Sequence, residues 1–374
     1  MKITAVKIFE LAHPLPRVIG GATAWVRTFE ALIVKLETDA GLSGWGETEP
    51  LGGVRSLIED HYAPLLIGRD PMAFRATWRE LWGANFGNGM ALAAVAIALD
   101  DLRGKALGLP VAELYGGRLR DRVPAYAAAL YYRQNADPAG HYPQVAEETV
   151  ARGFRAIKMR IGAQDPKRDL AAVAAVRRAV GPDIRLMADG NGAYTLGTAI
   201  RMGRELEQLG LHWFEEPLPQ ETTEYAAYER LTEKLDIAIG AGEALTSRGM
   251  FKEAIARRAM DIVQPDVILA GGIGECLFVA EMARLWGISC VPHCWAGALG
   301  IAATVHLISL LPDTSWSRTT ESPLLELDTN EDPLRDKLLA APLEARDGFV
   351  SVPRGPGLGV EVEEERLKFY AKRA

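Results

Sequence analysis

Two hydrophobic periods divide the chain. Near its start, "ITAVKIFEL" and "TFEALIVKLETDAGLSGWGE" alternate apolar and polar residues with period two, the pattern of hairpin strands, with Asp39-Ala40-Gly41 as the turn. "MKITAVKIFELAHPLP" reads as a strand that turns at proline. "MALAAVAIALDDLRGKALG" then switches to helix formers and stops near Gly108 and Pro110. Residues 1–122 are therefore predicted to form an α+β unit. From residue 123 short apolar strands alternate with helical stretches. The strands are "VPAYAAAL", "FRAIKMR", "IRLMAD", "HWFEEP", "IAIGAGE", "MDIVQPD", "ISCVPH" and, with the weakest pattern, "TSWSRTTE". "DLAAVAAVRRAVG", "LGTAIRMGRELEQLG" and "GECLFVAEMARLWG" are helical stretches between them. Eight strands separated by helices predict a closed parallel barrel over residues 123–345. The competing open doubly wound sheet would begin with a G-x-G-x-x-G turn, which the first βα unit lacks. The glycine-rich, strand-like "GFVSVPRGPGLGVEV" falls in a third segment, residues 346–374, expected to return to the N-terminal unit.

Five of the predicted strands end on an acid or a histidine: Asp189, Glu215, Glu243, Asp266 and His293. Their separations of 23 to 28 residues correspond to one βα unit each, which places all five at the C-terminal rim of a barrel. A single acid at a strand end is ordinarily the N-cap of the next helix. Three carboxylates in successive units, Asp189, Glu215 and Glu243, would instead repel one another unless a cation neutralised them. An all-oxygen donor set suits a hard divalent ion, Mg²⁺ first and Mn²⁺ as the alternative. Asp266 and His293 fall on adjacent strands, where a carboxylate fixes the imidazole tautomer and raises its basicity. Glu216, next to Glu215, is expected to alternate to the other face as a cap or supporting partner. His306 reads as structural, and His13, His61, His141 and His212 lack a comparable setting.

"FRAIKMR" carries two cations, Lys158 and Arg160, on one face of a strand that is otherwise apolar. Two like charges enclosed together call for an anionic counterpart, which the ring of acids and a bound anion would supply.

Composition narrows the class. An apolar share of 48% with 24% charged residues is that of a globular chain, not a disordered one. A net charge of −7 argues against nucleic acid or an anionic membrane as partner. No stretch approaches membrane-spanning length, and the N-terminus does not read as a secretory signal. Cys276, Cys290 and Cys294 are odd in number and lack metal-finger spacing, so a reducing cytoplasm is the expected setting and core filling the expected role of Cys290 and Cys294.

Together these residues resemble the enolase superfamily, mandelate racemase subgroup, along essentially the whole chain, from the N-terminal unit through "AIALDDLRGKALGLPVAELYGG" to "GPGLGVEV". The resemblance implies a modified (β/α)7β barrel with an N-terminal α+β capping domain completed by the C-terminal segment. It implies Mg²⁺ ligands at Asp189, Glu215 and Glu243 and a His-Asp dyad at His293 and Asp266. Asn191 matches a polar substrate contact, and Lys158 the first lysine of a Lys-x-Lys motif near the substrate carboxylate. Glu326 best matches an acid after the eighth strand that hydrogen-bonds an enediolate, with Glu321 as the alternative. Relatives form homo-oligomers, and capping-domain loops select the substrate. Here those loops are the stretch from Ile19 to Trp25, the turn at Leu51-Gly52-Gly53 and "NFGNG" at 85–89, with Trp25 and Phe86 able to close over a ligand.

Arg160 departs from the pattern, because many relatives carry a lysine base there. Arginine hardly deprotonates, so the site offers one base where a racemase needs two. The expected reaction is thus Mg²⁺-dependent removal of the proton α to a carboxylate and β-elimination of water from an acid sugar, an aldonate or aldarate, to a 2-keto-3-deoxy acid. Aldarate lactone cycloisomerisation, racemisation or epimerisation of a 2-hydroxy acid, and metal-dependent binding without turnover are the alternatives.

Overall fold

In the computed structural model, the period-two pattern at the start of the chain becomes a meander of β1 (Ile3–Gly20), β2 (Trp25–Thr38) and β3 (Ser43–Thr48). The structure describes residues 1–84, 88–219, 225–313 and 321–372. β1 does not turn at proline. It runs through Pro14 and Pro16 to Gly20, with a shift of register between Pro14 and Ile19 that absorbs the missing donors. Its far end pairs with the two-residue strand Tyr132–Arg133, which ties the first sheet to the second.

Helix α1 (Phe74–Ala84) and the long α2 (Gly89–Leu107) cover this sheet. Asn88 caps α2 by accepting from the Ala91 N–H at 3.0 Å, and Gly108 ends it in the left-handed region at φ 69°. The glycines of "SGWG" have a packing reason: a Cβ on Gly44 or Gly46 would strike the α2 carbonyls of Ala98 and Ala94. Leu32, Val34 and Leu36 of β2 pack there on Leu92, Val95 and Leu99.

The barrel strands are β4 (Arg122–Leu130), β5 (Ala156–Arg160), β6 (Arg185–Asp189), β7 (Trp213–Glu215), β8 (Ala238–Ala241), β9 (Ile262–Val263), β10 (Ser289–Cys290) and β11 (Leu325–Asp328). Neighbours from β4 to β10 pair in parallel, and β11 pairs in parallel with β4. Among the described residues, seven helices alternate with them: α3 (Pro138–Ala151), α4 (Pro166–Val180), α5 (Leu196–Gln208), α6 (Ala226–Lys234), α7 (Arg248–Ala256), α8 (Ile273–Leu285) and α9 (Ala298–Leu310). This is a (β/α)7β barrel under an N-terminal capping domain. The expected eighth strand, "TSWSRTTE", is corrected: residues 314–320 lie outside the described residues, and "LELD" takes that position. Residues 85–87 of "NFGNG", with Phe86, also lie outside them.

The tail closes the structure at both ends. β12 (Phe349–Ser351) pairs antiparallel with Arg122–Pro124 at the start of β4. Helix α10 (Glu364–Tyr370) then brings Ala371 beside Leu11, and the Lys372 N–H donates to Glu10 O at 2.8 Å. The C-terminal segment therefore completes the capping domain. Among the described residues no helix is long and apolar enough to cross a membrane.

Candidate active site

Alternation along the strands decides what enters the barrel. On β5, Ile157 and Met159 join the core beneath the helices, while Ala156, Lys158 and Arg160 turn inward. Met187 and Asp189 do the same on β6, and Trp213 and Glu215 on β7. Tyr126, Ala156, Met187, Trp213 and Ile262 fill the lower interior as an apolar plug. Above it the charged residues form a layer, since Arg160 is level with Asp189 and Asp189 with Glu215 across the parallel ladders. Glu243 follows two residues after β8 ends.

Asp189, Glu215 and Glu243 each present a carboxylate oxygen within 4.8 Å of the others. Asp189 and Glu215 are buried, and Glu243 faces the cavity. Glu215 is held in place by the Trp213 indole N–H at 2.8 Å and the Gln264 amide at 2.9 Å, both donating to Oε2. Asp189 Oδ1 accepts from the Asn191 N–H at 2.8 Å. Three oriented oxygen donors converging from successive strands, two enclosed and one open to a cavity, fit a hard divalent ion.

Lys158 and Arg160 answer these acids. The Lys158 ammonium is fully buried, contacts Glu215, and lies 2.6 Å from Glu326 Oε1 and 3.6 Å from Asp189 Oδ2. Burial alone would lower its pKa, but Glu215 and Glu326 raise it above the ordinary value. Arg160 contacts Asp189, stacks on the Tyr131 ring at 5.1 Å, and is likewise held charged. Neither side chain is poised to accept a proton. Glu326 is buried on β11. Burial favours its neutral form, yet Lys158, His293 and Arg160 hold its pKa down to about 2. Glu321 lies elsewhere, 3.6 Å from His212 on an exposed edge.

Opposite the cations, His293 Nδ1 is 2.7 Å from Asp266 Oδ2, and Asp266 Oδ1 accepts from the Ile268 N–H at 2.8 Å. A carboxylate can only accept, so Nδ1 carries the proton and Nε2 is left 3.4 Å from Glu243 and 3.9 Å from Glu326. Burial opposes the imidazolium, but Glu243, Glu326 and Asp266 outweigh it and push its pKa up to about 10.

Part of this charged layer opens on a cavity of about 470 Å³ beneath the capping domain. Arg160, Asn191, Glu243 and His293 reach it, whereas Lys158 and Glu326 lie behind its wall. Asn191 Oδ1 accepts from the Ala22 N–H at 3.2 Å and so joins the barrel to a capping loop. Trp25 does not line the cavity; its half-exposed ring lies against Gly20, while Ala24 and Val26 face in. Glu216 does not alternate outward as expected. Its φ of 37° breaks the strand pattern and turns it into the same cavity.

The sequence matches two family models: "Mandelate racemase / muconate lactonizing enzyme, N-terminal domain" over residues 3–116 and "Enolase C-terminal domain-like" over residues 141–366. The chain belongs to the enolase superfamily. As a superfamily enzyme it is 35% identical over 98% of both chains to a D-galactarolactone cycloisomerase of Agrobacterium fabrum. It is 33% identical to an arabinonate dehydratase of Saccharolobus solfataricus, over 91% of this chain and 90% of that one. A racemase from Streptomyces coelicolor solved with bound magnesium superposes with a TM-score of 0.88 at 29% identity, over 99% of this chain and 100% of that one.

Three groups at this superfamily site fall outside the pattern that marks the others. Gln264 had a signal, since it lies two residues before Asp266 and shares its face. Tyr131 and Glu49 had none, because a loop tyrosine and an acid just past β3 show no periodicity with the barrel.

Proposed function

We propose that this enzyme removes the proton α to the carboxylate of an acid sugar and expels an oxygen from the β-carbon. The observation that carries the reading is the asymmetry of the cavity, with a dyad imidazole at one wall and only cations that keep their protons at the other. Asp189, Glu215 and Glu243 would hold a Mg²⁺ ion, which when bound supplies positive charge that offsets these carboxylates, eases deprotonation of His293 and stabilises negative charge growing on the substrate.

The chain's own residues do the remainder. Asp266 keeps the proton on Nδ1, so Nε2 takes the α-proton and its C–H electron pair passes into the carboxylate as an enediolate. Glu326, held ionised, accepts from Lys158 and keeps that ammonium behind the developing charge. Arg160 binds substrate oxygen and gives up no proton. The enediolate pair then forms the Cα–Cβ double bond as the Cβ–O bond breaks, and the imidazolium returns its proton to the departing hydroxyl. Water leaves, and the enol tautomerises to a 2-keto-3-deoxy acid. A screen of acid sugars with Mg²⁺ that monitors keto-acid formation tests the reading.

The full-length similarity to a cycloisomerase favours a second reading, in which the oxygen expelled belongs to a lactone ring. Supplying lactones beside open acids separates the two: ring opening without loss of water supports the second.

A further inference from the structure

The loop that carries His293 is gripped from the capping domain. After His293 the chain runs through residues 294–297 into α9, and three contacts hold it. The Cys294 N–H donates to Glu326 Oε2 at 3.4 Å. The Trp295 ring stacks on Phe29 of β2, with centroids 5.4 Å apart and planes inclined by 14°. Gly297, Leu299 and Gly300 donate their N–H groups to Glu47 near the end of β3, the last two at 3.0 Å and 2.8 Å. Thr48, the next residue, donates its hydroxyl to Ile268 O at 2.7 Å, two residues beyond Asp266. Two capping strands thus hold the loops of both dyad members.

Glu47 makes the most contacts of these. Its carboxylate is buried, and among the described residues no cation pairs with it. Peptide N–H groups at the positive end of α9 answer it instead. Oε1 accepts from Gly297 and Oε2 from Leu299 and Gly300, so both oxygens are committed as acceptors. A glutamine amide could not replace them, because turned either way its NH₂ group would meet an N–H donor. The barrel side is shaped to match. A Cβ on Gly297 would lie 2.8 Å from Glu47 Oε1, while its φ of −75° suits any residue, so space alone calls for glycine there. Glu47 does not line the substrate cavity.

We infer that Glu47 is a positioning residue for the proton-transfer step: by holding the start of α9 it fixes the loop from which His293 reaches the substrate. It acts through the His293 backbone and not on the reacting atoms. Docking of the capping sheet and placement of the base are then one event, since the same strand fastens the His293 loop through Glu47 and the Asp266 loop through Thr48. The inference rests on the proposed function, in which His293 takes the α-proton, and adds what keeps that base in register. A displacement of about 1 Å at a reacting group can cost about 10²-fold in rate, which sets the scale of the expected effect.

Two variants loosen this anchor from opposite sides, Glu47→Gln and Gly297→Ala, and the second decides the matter should the first not fold. In the Mg²⁺-loaded enzyme each is expected to lower kcat for keto-acid formation by about 10²-fold, with KM changed by less than about threefold. In the His293→Asn background each is expected to cost less than about threefold more, since a residue that acts through His293 has nothing left to act on. The low-field proton NMR signal of His293 Nδ1–H, identified by its loss in His293→Asn, reads placement without turnover and is expected to shift in both variants. An unchanged kcat, a rise in KM with kcat held, a full 10²-fold further loss in the His293→Asn background, or an Nδ1–H signal that stays in place would each overturn the inference. If the signal shifts but the unmutated enzyme turns over neither open acids nor lactones, the placement of His293 by Glu47 stands and the proposed reaction fails.

Discussion

The two walls of the cavity are both built from charge, yet they differ in what a proton can do there. At one wall Asp266 accepts from His293 Nδ1 at 2.7 Å, which leaves Nε2 as the ring nitrogen free to take part in proton transfer. At the other, Lys158 and Arg160 are locked by Glu215, Glu326 and Asp189 into their charged forms. In the proposed reaction one wall moves a proton and the other fixes charge. Loss of a single α-proton followed by departure of an oxygen needs no more than this, whereas inverting a carbon centre needs an acceptor on each side.

Disrupting what both walls share is expected to have the largest effect. Chelation of divalent ions should lower turnover by more than about 10⁴-fold, because several kcal/mol of charge stabilisation is lost; Mg²⁺ should restore it, and a chelated enzyme at full rate would exclude the carboxylate cluster from the reaction. Removing the mobile proton comes next. His293→Asn is expected to cut keto-acid formation by about 10³-fold, within the span of general-base contributions, while the Mg²⁺-induced rise in melting temperature stays.

Changing the fixed wall should cost less. Arg160→Lys keeps the charge and is expected to lower turnover by about tenfold, consistent with loss of a planar donor array. It also places a group able to deprotonate where none stands now, so slow epimerisation should appear by NMR only in this variant.

The smallest effect lies away from both walls. His306 is buried, donates from Nε2 to Leu358 O at 3.1 Å, and is held neutral by burial, its pKa lowered to about 4. The unfolded chain would bind a proton near pH 6.5 that the folded one refuses until about pH 4. The contribution of His306 to stability is therefore complete above pH 6.5 and falls as pH drops through that window, by up to about 3 kcal/mol. His306→Gln should flatten this part of the acid limb in denaturant titrations; equal slopes in both proteins would remove His306 as its cause.

Legibility in the sequence followed periodicity. Lys158 and Arg160, Met187 and Asp189, and Trp213 and Glu215 are two apart on short strands, so their common inward face could be read directly. The capping helix could be read from its alanine and leucine run and its Gly108 stop. The eighth strand could not, because "LELD" is brief and lies beyond a polar stretch that mimics a strand. Glu49 was illegible for a different reason. Its place beside His293 depends on how the first sheet docks on a barrel some 240 residues further along the chain, through Glu47 and Thr48, and no local pattern encodes a docking. Glu216 shows the limit of periodicity itself, since a positive φ at a strand end cancels the alternation that predicts its direction.

The claim that one wall alone handles the proton can be tested most directly by following the α-hydrogen in D₂O. Each member of a C2-epimeric pair of a turned-over acid sugar is incubated with the Mg²⁺-loaded enzyme, and recovered substrate is examined by NMR. Deuterium is expected in one epimer only, with no interconversion, and none at all after His293→Asn. Deuterium in both epimers, or exchange that survives the loss of His293, would contradict it.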